Sequence, residues 1–146
     1  MRSLDENEPK VLYLATPFTH DDPAVMQHRY RLSCLVAAKL MRHGIVVFNP
    51  LSHSVPLGEF LNDIEDQHSL WMSTDLPLLR RFDELLILGL PEWPKSRGVK
   101  AEMFEALGAR KPITLIEEAD IDLLPKIPKT ALHFLKSEIF TEVVDD

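Results

Sequence analysis

Short apolar runs alternate along the chain with longer amphipathic stretches. Val11-Leu12-Tyr13-Leu14-Ala15, Ile45-Val46-Val47-Phe48, Leu85-Leu86-Ile87-Leu88 and Ile113-Thr114-Leu115-Ile116 are too brief for helices and lack polar alternation. Such runs suit strands buried on both faces of a parallel sheet. Between the first two, Met26, Tyr30, Leu35, Ala38 and Leu40 mark a helix from Pro23 to about Arg42, with Pro23 at its first position and Gly44 just past its end. A second helix, from about Ser73 to Arg81, feeds the third run. Val99, Met103, Ala106 and Leu107 recur at helical spacing between the third and fourth runs, with Gly108 as a stop. The succession predicts an α/β fold: a three-layer sandwich around a mostly parallel, flavodoxin-like or Rossmann-like sheet of four to five strands. The strand starting at Val11 is expected to be central.

The remaining stretches are less regular. Residues 51–56 read as loop, and residues 59–68 as either a short helix or an irregular excursion over the carboxyl end of the sheet, where lids belong. Pro91 and Pro94 exclude a helix between Gly89 and Lys95. Residues 1–10 read as a flexible arm, and residues 11–146 as a single domain. Its tail carries Leu132, Leu135, Ile139 and Phe140 at helical spacing, expected to form a C-terminal helix against the sheet or a second subunit.

Composition narrows the classes. The 146 residues are 45% hydrophobic and 27% charged, ordinary for one globular domain. A net charge of −7 argues against a nucleic acid polymer or an anionic membrane as partner. A lone cysteine, Cys34, fits a reducing compartment, and no apolar stretch reaches the roughly 18 residues of a membrane span. The amino terminus is charged rather than signal-like. The chain is therefore expected to be cytoplasmic.

Several chemistries are missing from the pattern. There is no GxGxxG, GxxxxGK[ST], GxSxG or CxxC, and the six histidines lack zinc spacing, so neither cofactor nor metal is expected. His20-Asp21-Asp22 reads as a capping loop rather than a cation site. The stretch from Leu85 to Leu107 carries the candidate chemistry. It forms a strand, a loop and a helix, and in open α/β sheets such loops lie where ligands bind. At about 100° per residue Glu102 falls on the edge of the apolar stripe in the first turn, whereas Glu105 lies further towards solvent. Glu102 is either a sheltered catalytic carboxylate or an ordinary helix charge. Ser96-Arg97-Gly98 opens a helix amino terminus, which favours an anion, although Ser96 could simply cap it. Asp75 reads as a candidate or as a cap for the helix before the third strand. Asp83 lies at the opposite end of the sheet and reads as structural. Trp93 either stacks on a base or covers apolar surface.

In this order and spacing the pieces resemble the nucleoside 2-deoxyribosyltransferase superfamily, including the deoxynucleoside-monophosphate N-glycosidases and a poorly characterised bacterial and phage branch. The matching parts are Tyr13-Leu14-Ala15, Gly44 to Pro50, Asp75-Leu76, Phe82 to Leu88, Ser96 to Glu102 and Lys111-Pro112-Ile113, spanning roughly residues 11–116. The resemblance implies that Glu102 is the nucleophile, that Tyr13 orients it, and that Asp75 engages the substrate and helps protonate the leaving base. It implies substrate contacts from Ser96, Arg97 and Gly98, with Thr16, Phe18 and Trp93 beside them, a small nucleoside or nucleotide as partner, and a homodimer or larger homo-oligomer. Ser96 matches a serine of the monophosphate hydrolases rather than the acid of the transferases. The hydrolases also hold phosphate with a serine and an arginine after the first strand, where this chain has Pro17 and Thr19, so that task would fall to Arg97, His20 or Arg29. A family glycine two residues after the nucleophile is Phe104 here. Two readings follow: an N-glycosidase or deoxyribosyltransferase, or a non-catalytic nucleotide-binding module on the same fold.

Overall fold

The computed structural model describes residues 8–125. Four strands, β1 (Val11–Ala15), β2 (Val46–Phe48), β3 (Glu84–Gly89) and β4 (Ile113–Glu117), form one parallel sheet in the order β2-β1-β3-β4. The Val11 strand is interior, as its uninterrupted apolar character requires. Alternation along it turns Tyr13 and Ala15 to one face and Leu12 and Leu14 to the other.

Each face buries its own core. On one, Leu14, Leu86, Leu88 and Ile116 pack with Val36, Ala37 and Leu40 of α1 (Pro23–Arg42). On the other, Tyr13, Leu85, Ile87 and Leu115 pack with Leu79 of α3 (Gln67–Arg81) and with Val99, Met103 and Ala106 of α4 (Arg97–Gly108). The result is the expected three-layer sandwich. At its amino end Asp83 accepts a 2.8 Å hydrogen bond from the Val11 amide, the structural role its position implied. Lys111 donates to the carbonyls of Leu79, Arg80 and Phe82. A cation on the last turn of α3 suits the negative end of the helix dipole.

The elements depart from the sequence pattern in three places. Residues 51–56 form most of a helix, α2 (Pro50–Gly58), rather than a loop. Asn49 caps it by accepting from the Leu51 amide at 3.2 Å, and Pro50 sits at its first position, where no amide donor is needed. The irregular excursion is confined to residues 59–66, and Gln67 ties it down by donating to the Leu61 and Ile64 carbonyls. Helix α3 begins at Gln67, six residues before Ser73, because Asp66 rather than Asp75 is its cap. The Asp66 carboxylate accepts from the Ser69 amide at 3.0 Å. Finally, Trp93–Lys95 forms one 3-10 turn despite the flanking prolines, with Pro94 early enough in the turn to need no amide partner. Residues 1–7 of the expected arm and the tail at 128–140 lie outside the described residues; within residues 8–10, Lys10 is exposed and pairs with Glu84 at 3.1 Å.

Candidate functional site

Three elements bring three polar side chains into the apolar layer between the sheet and α3/α4. Tyr13 leaves β1 fully buried, its ring packed against Phe48 at 6.0 Å and Phe82 at 5.8 Å. Glu102 points inward from the second turn of α4 rather than the expected first, because the helix already begins at Arg97; it is 5% exposed, on the same side as Val99 and Met103. Asp75, 6% exposed, comes from the middle of α3. The expectation that Asp75 arrives as a cap or from a helix start is thus corrected. A helix interior cannot use its carboxylate for capping, which leaves its burial unexplained by local structure.

The three groups sense one another. Burial lifts Glu102 to about 8; the Tyr13 hydroxyl holds it down and the Asp75 charge adds to the rise. Burial likewise lifts Asp75 to about 6, opposed by the charge of His53. Tyr13 is pushed above the ordinary tyrosine range, by burial first and then by Glu102 and Asp75, so it remains a donor. Two neighbouring carboxyls titrating on either side of neutrality hold close to one proton between them at pH 7.

Polar atoms are left over on and around β1, on both sides of the sheet. The Tyr13 hydroxyl, Thr16 Oγ1 and Asp75 Oδ1 are buried without a well-formed hydrogen bond to any group of the chain. Buried polar atoms are otherwise almost always paired, and each unpaired one costs roughly 1–3 kcal/mol. All three belong to residues singled out from the sequence.

The amino terminus of α4 closes the site. Ser96 caps it, its Oγ accepting from the Val99 amide at 3.2 Å. At Gly98 a Cβ would lie 4.0 Å from both Glu102 Oε1 and Ser96 Oγ and 3.8 Å from the Met72 methyl, so these groups share one small space. Met72 also lines an open groove of about 430 Å³ along α3 from His68 to Arg80. That groove adjoins the carboxylates without containing them.

Other candidates fall elsewhere. Trp93 is 9% exposed and packs in the core with Val99 and Leu115, so it covers apolar surface rather than standing free for a base. Phe104 is 45% exposed on the outer side of α4 and is not the bulky neighbour of the site suggested by its sequence position. Glu105 is not fully solvated either, because it pairs with Arg80 of α3. Phe18 is half-buried and Arg97 exposed. His53 was not singled out from the sequence, where it read as loop. In the folded chain its ring lies 6.4 Å from Phe48 and its charge acts on Asp75. The only available signal was its distance of three residues from Pro50, at the start of a helix the pattern did not reveal. No group of His, Cys, Asp and Glu among the described residues could hold a metal ion.

With this geometry in view, a family model described as "Domain of unknown function (DUF1937)" matches residues 10–118. The chain belongs to the DUF1937 family. That span takes in all four strands, Tyr13, Asp75 and Glu102. No curated protein matches the sequence. Among solved structures, this DUF1937 chain is similar to the 2-deoxyribosyltransferase of the psychrotolerant bacterium Bacillus psychrosaccharolyticus, a biocatalyst for nucleoside synthesis. The two are 18% identical, the match covers 84% of this chain and 79% of that one, and the TM-score is 0.56. The likeness is one of fold: the DUF1937 chain shares the parallel α/β architecture of that enzyme. No helix among its described residues is long and apolar enough to cross a membrane.

Proposed function

We propose that this protein cleaves the base–sugar bond of nucleosides or nucleoside monophosphates, as an N-glycosidase or deoxyribosyltransferase. The observation that carries the reading is the buried, mutually interacting set of Tyr13, Asp75 and Glu102, two of whose members keep unpaired polar atoms. Titratable groups whose pKa values burial displaces, set within reach of one another's charge, are what acid–base and nucleophilic chemistry needs.

In this mechanism a Glu102 oxygen forms a bond to the anomeric carbon. The carbon–nitrogen bond breaks with its electron pair on the base, which takes a proton from Asp75. Water or a second base then attacks the same carbon, releasing the Glu102 carboxylate and returning a proton to Asp75. Tyr13, held by Phe48 and Phe82, donates towards Glu102 and fixes its orientation. A homo-oligomer, at least a dimer, belongs to the same proposal, resting on the superfamily resemblance and the apolar spacing of the tail.

The test is incubation with a panel of nucleosides and 5′-monophosphates, with free base followed by chromatography. Release of base that disappears in Glu102→Gln supports the proposal. The competing reading, a non-catalytic nucleotide-binding module, draws on Pro17 and Thr19 standing where the hydrolases hold phosphate. It gains if ligands bind and no base appears.

A further inference from the structure

The seam between α3 and α4 is closed unevenly along its length. Steps of about 100° per residue turn Asp75 and Leu79 of α3 to the core and the exposed Ser69, Ser73 and Arg80 outward, leaving Met72 and Leu76 on the border. On α4 the side towards α3 carries Gly98, Ala101 and Glu105, spaced three and four apart. At one end of the seam Glu105 pairs with Arg80, and in the middle Leu76 packs on the core around Tyr13. At the other end Gly98 contributes no side chain, and the gap falls to Met72.

Met72 has solvent on one side and the reactive groups on the other. It lines the open groove with His68, Ser69 and Ser73. Its methyl lies 3.8 Å from the point above Gly98 that is itself 4.0 Å from Glu102 Oε1. Neither Asp75 nor Glu102 lines the groove, and both are buried. Behind them Tyr13 is enclosed by the rings of Phe48 and Phe82. One half-buried, unbranched and flexible side chain therefore stands between the groove and Glu102.

We infer that Met72 is a specificity-determining residue that bars groove water from the sugar–Glu102 ester and so favours its resolution by a second base over hydrolysis. This rests on the base–sugar cleavage reading and decides between its two outcomes. After the first displacement the anomeric carbon is bonded to a Glu102 oxygen, and Asp75 has given its proton to the departed base. In hydrolysis a water oxygen bonds to that carbon, the carbon–oxygen bond to Glu102 breaks with its electron pair on the carboxylate, and the water proton goes to Asp75. In transfer a ring nitrogen of the second base takes the place of the water oxygen, and its N–H proton goes to Asp75. An incoming base re-enters the space that the first one left. Water is small enough to come through the seam as well, and only that second route runs past Met72. Shielding a reactive intermediate from water is what suppresses its hydrolysis.

The test supplies thymidine or thymidine 5′-monophosphate together with adenine. Chromatography then measures the exchanged adenine nucleoside or nucleotide against the free deoxyribose or its 5-phosphate. Met72→Ala removes three heavy atoms, more room than one water molecule needs, and should raise the ratio of free sugar to exchanged product about fivefold or more. Met72→Leu keeps the bulk and should leave that ratio within about twofold of wild type. Carbodiimide coupling of glycinamide, read by mass spectrometry, follows access to Glu102 without turnover. It should label Glu102 several-fold faster in Met72→Ala and leave the exposed Glu59 unchanged. Equal loss of both products in Met72→Ala, at an unchanged ratio, would show that Met72 only packs the seam and would overturn the inference. So would a wild type that hydrolyses without exchange, or Glu102 labelling that Met72→Ala does not alter. Should Met72→Ala not fold, Met72→Val, a milder truncation, decides by the same ratio. No base released from either compound by wild type and variants alike overturns the cleavage reading and the partition with it, a result distinct from turnover at an unchanged ratio.

Discussion

At the residue scale, the chemistry turns on Glu102. In the proposed reaction its charge matters at the transition state more than in the bound ground state, so Glu102→Gln and Glu102→Ala should abolish base release while leaving much of the ligand binding intact. Asp75→Asn should slow release less than Glu102→Gln, within the ~10²–10⁴-fold of general acid catalysis. Glu105→Gln removes only the partly exposed pair with Arg80, worth at most about 1 kcal/mol, and should be nearly silent in activity. Loss of turnover in Glu105→Gln with retention in Glu102→Gln would sink the assignment. The pH profile follows from the shared proton. With Asp75 at about 6 and Glu102 at about 8, the singly protonated pair dominates between those values. The single proton rests mainly on Glu102, the higher of the two, and attack draws on the minor form that carries it on Asp75, so kcat/KM should be bell-shaped with a maximum near pH 7 and limbs close to these two values. A profile flat from pH 5 to pH 9 contradicts it.

At the scale of elements, α4 serves two purposes from one cap. Ser96 satisfies the Val99 amide and stands within the same small space as Gly98 and Glu102. Ser96→Ala should lower stability by about 0.5–2 kcal/mol, the usual cost of a lost cap. If Ser96 also meets substrate, KM should rise for that variant, whereas Asp66→Ala, which removes the α3 cap at a comparable stability cost, should leave KM alone. Urea unfolding and steady-state kinetics on the two variants separate the roles; matching kinetic effects would argue that Ser96 is only a cap. Much of this level could be read from the sequence. β1, α1, β3 and β4 follow directly from apolar runs and from Pro23, Gly44 and Gly108. α2 and the start of α3 do not, because a short helix with prolines at 50 and 56 has no amphipathic period to detect, and α3 opens on the polar residues Gln67-His68-Ser69 behind its Asp66 cap.

At the scale of the whole molecule, two buried carboxyls set how stability depends on pH. Asp75 rises from 3.8 to about 6 and Glu102 from 4.5 to about 8 on folding. Between about pH 4 and pH 8 the folded chain therefore binds more protons than the unfolded chain, so stability falls as pH rises through that window and levels off above it. Glu102→Gln should flatten the upper part of that slope and raise Tm by several degrees at pH 8.5, with little gain at pH 5. Calorimetric melts across pH 5–9 test this without substrate, and a Tm that climbs with pH in the wild type contradicts it. A variant that loses activity and gains stability is the mark of a buried charge kept for chemistry.

The sequence by itself determined the sheet and its central strand, because a parallel strand covered on both faces must be apolar throughout, and that requirement is local. Its resemblance to the nucleoside 2-deoxyribosyltransferase superfamily is what drew Tyr13, Asp75 and Glu102 together as candidates. Only the tertiary structure decided that Asp75 lies mid-helix and buried, that Trp93 belongs to the core, that His53 comes beside Asp75, and that Arg29 donates to the carbonyls of Thr19 and Pro91 in two separate loops. Those facts depend on which residues distant in sequence meet across the crevice between β1 and β3, and on how much water remains there. Burial and partnership are properties of the packed chain, and no pattern of neighbours along the sequence contains them.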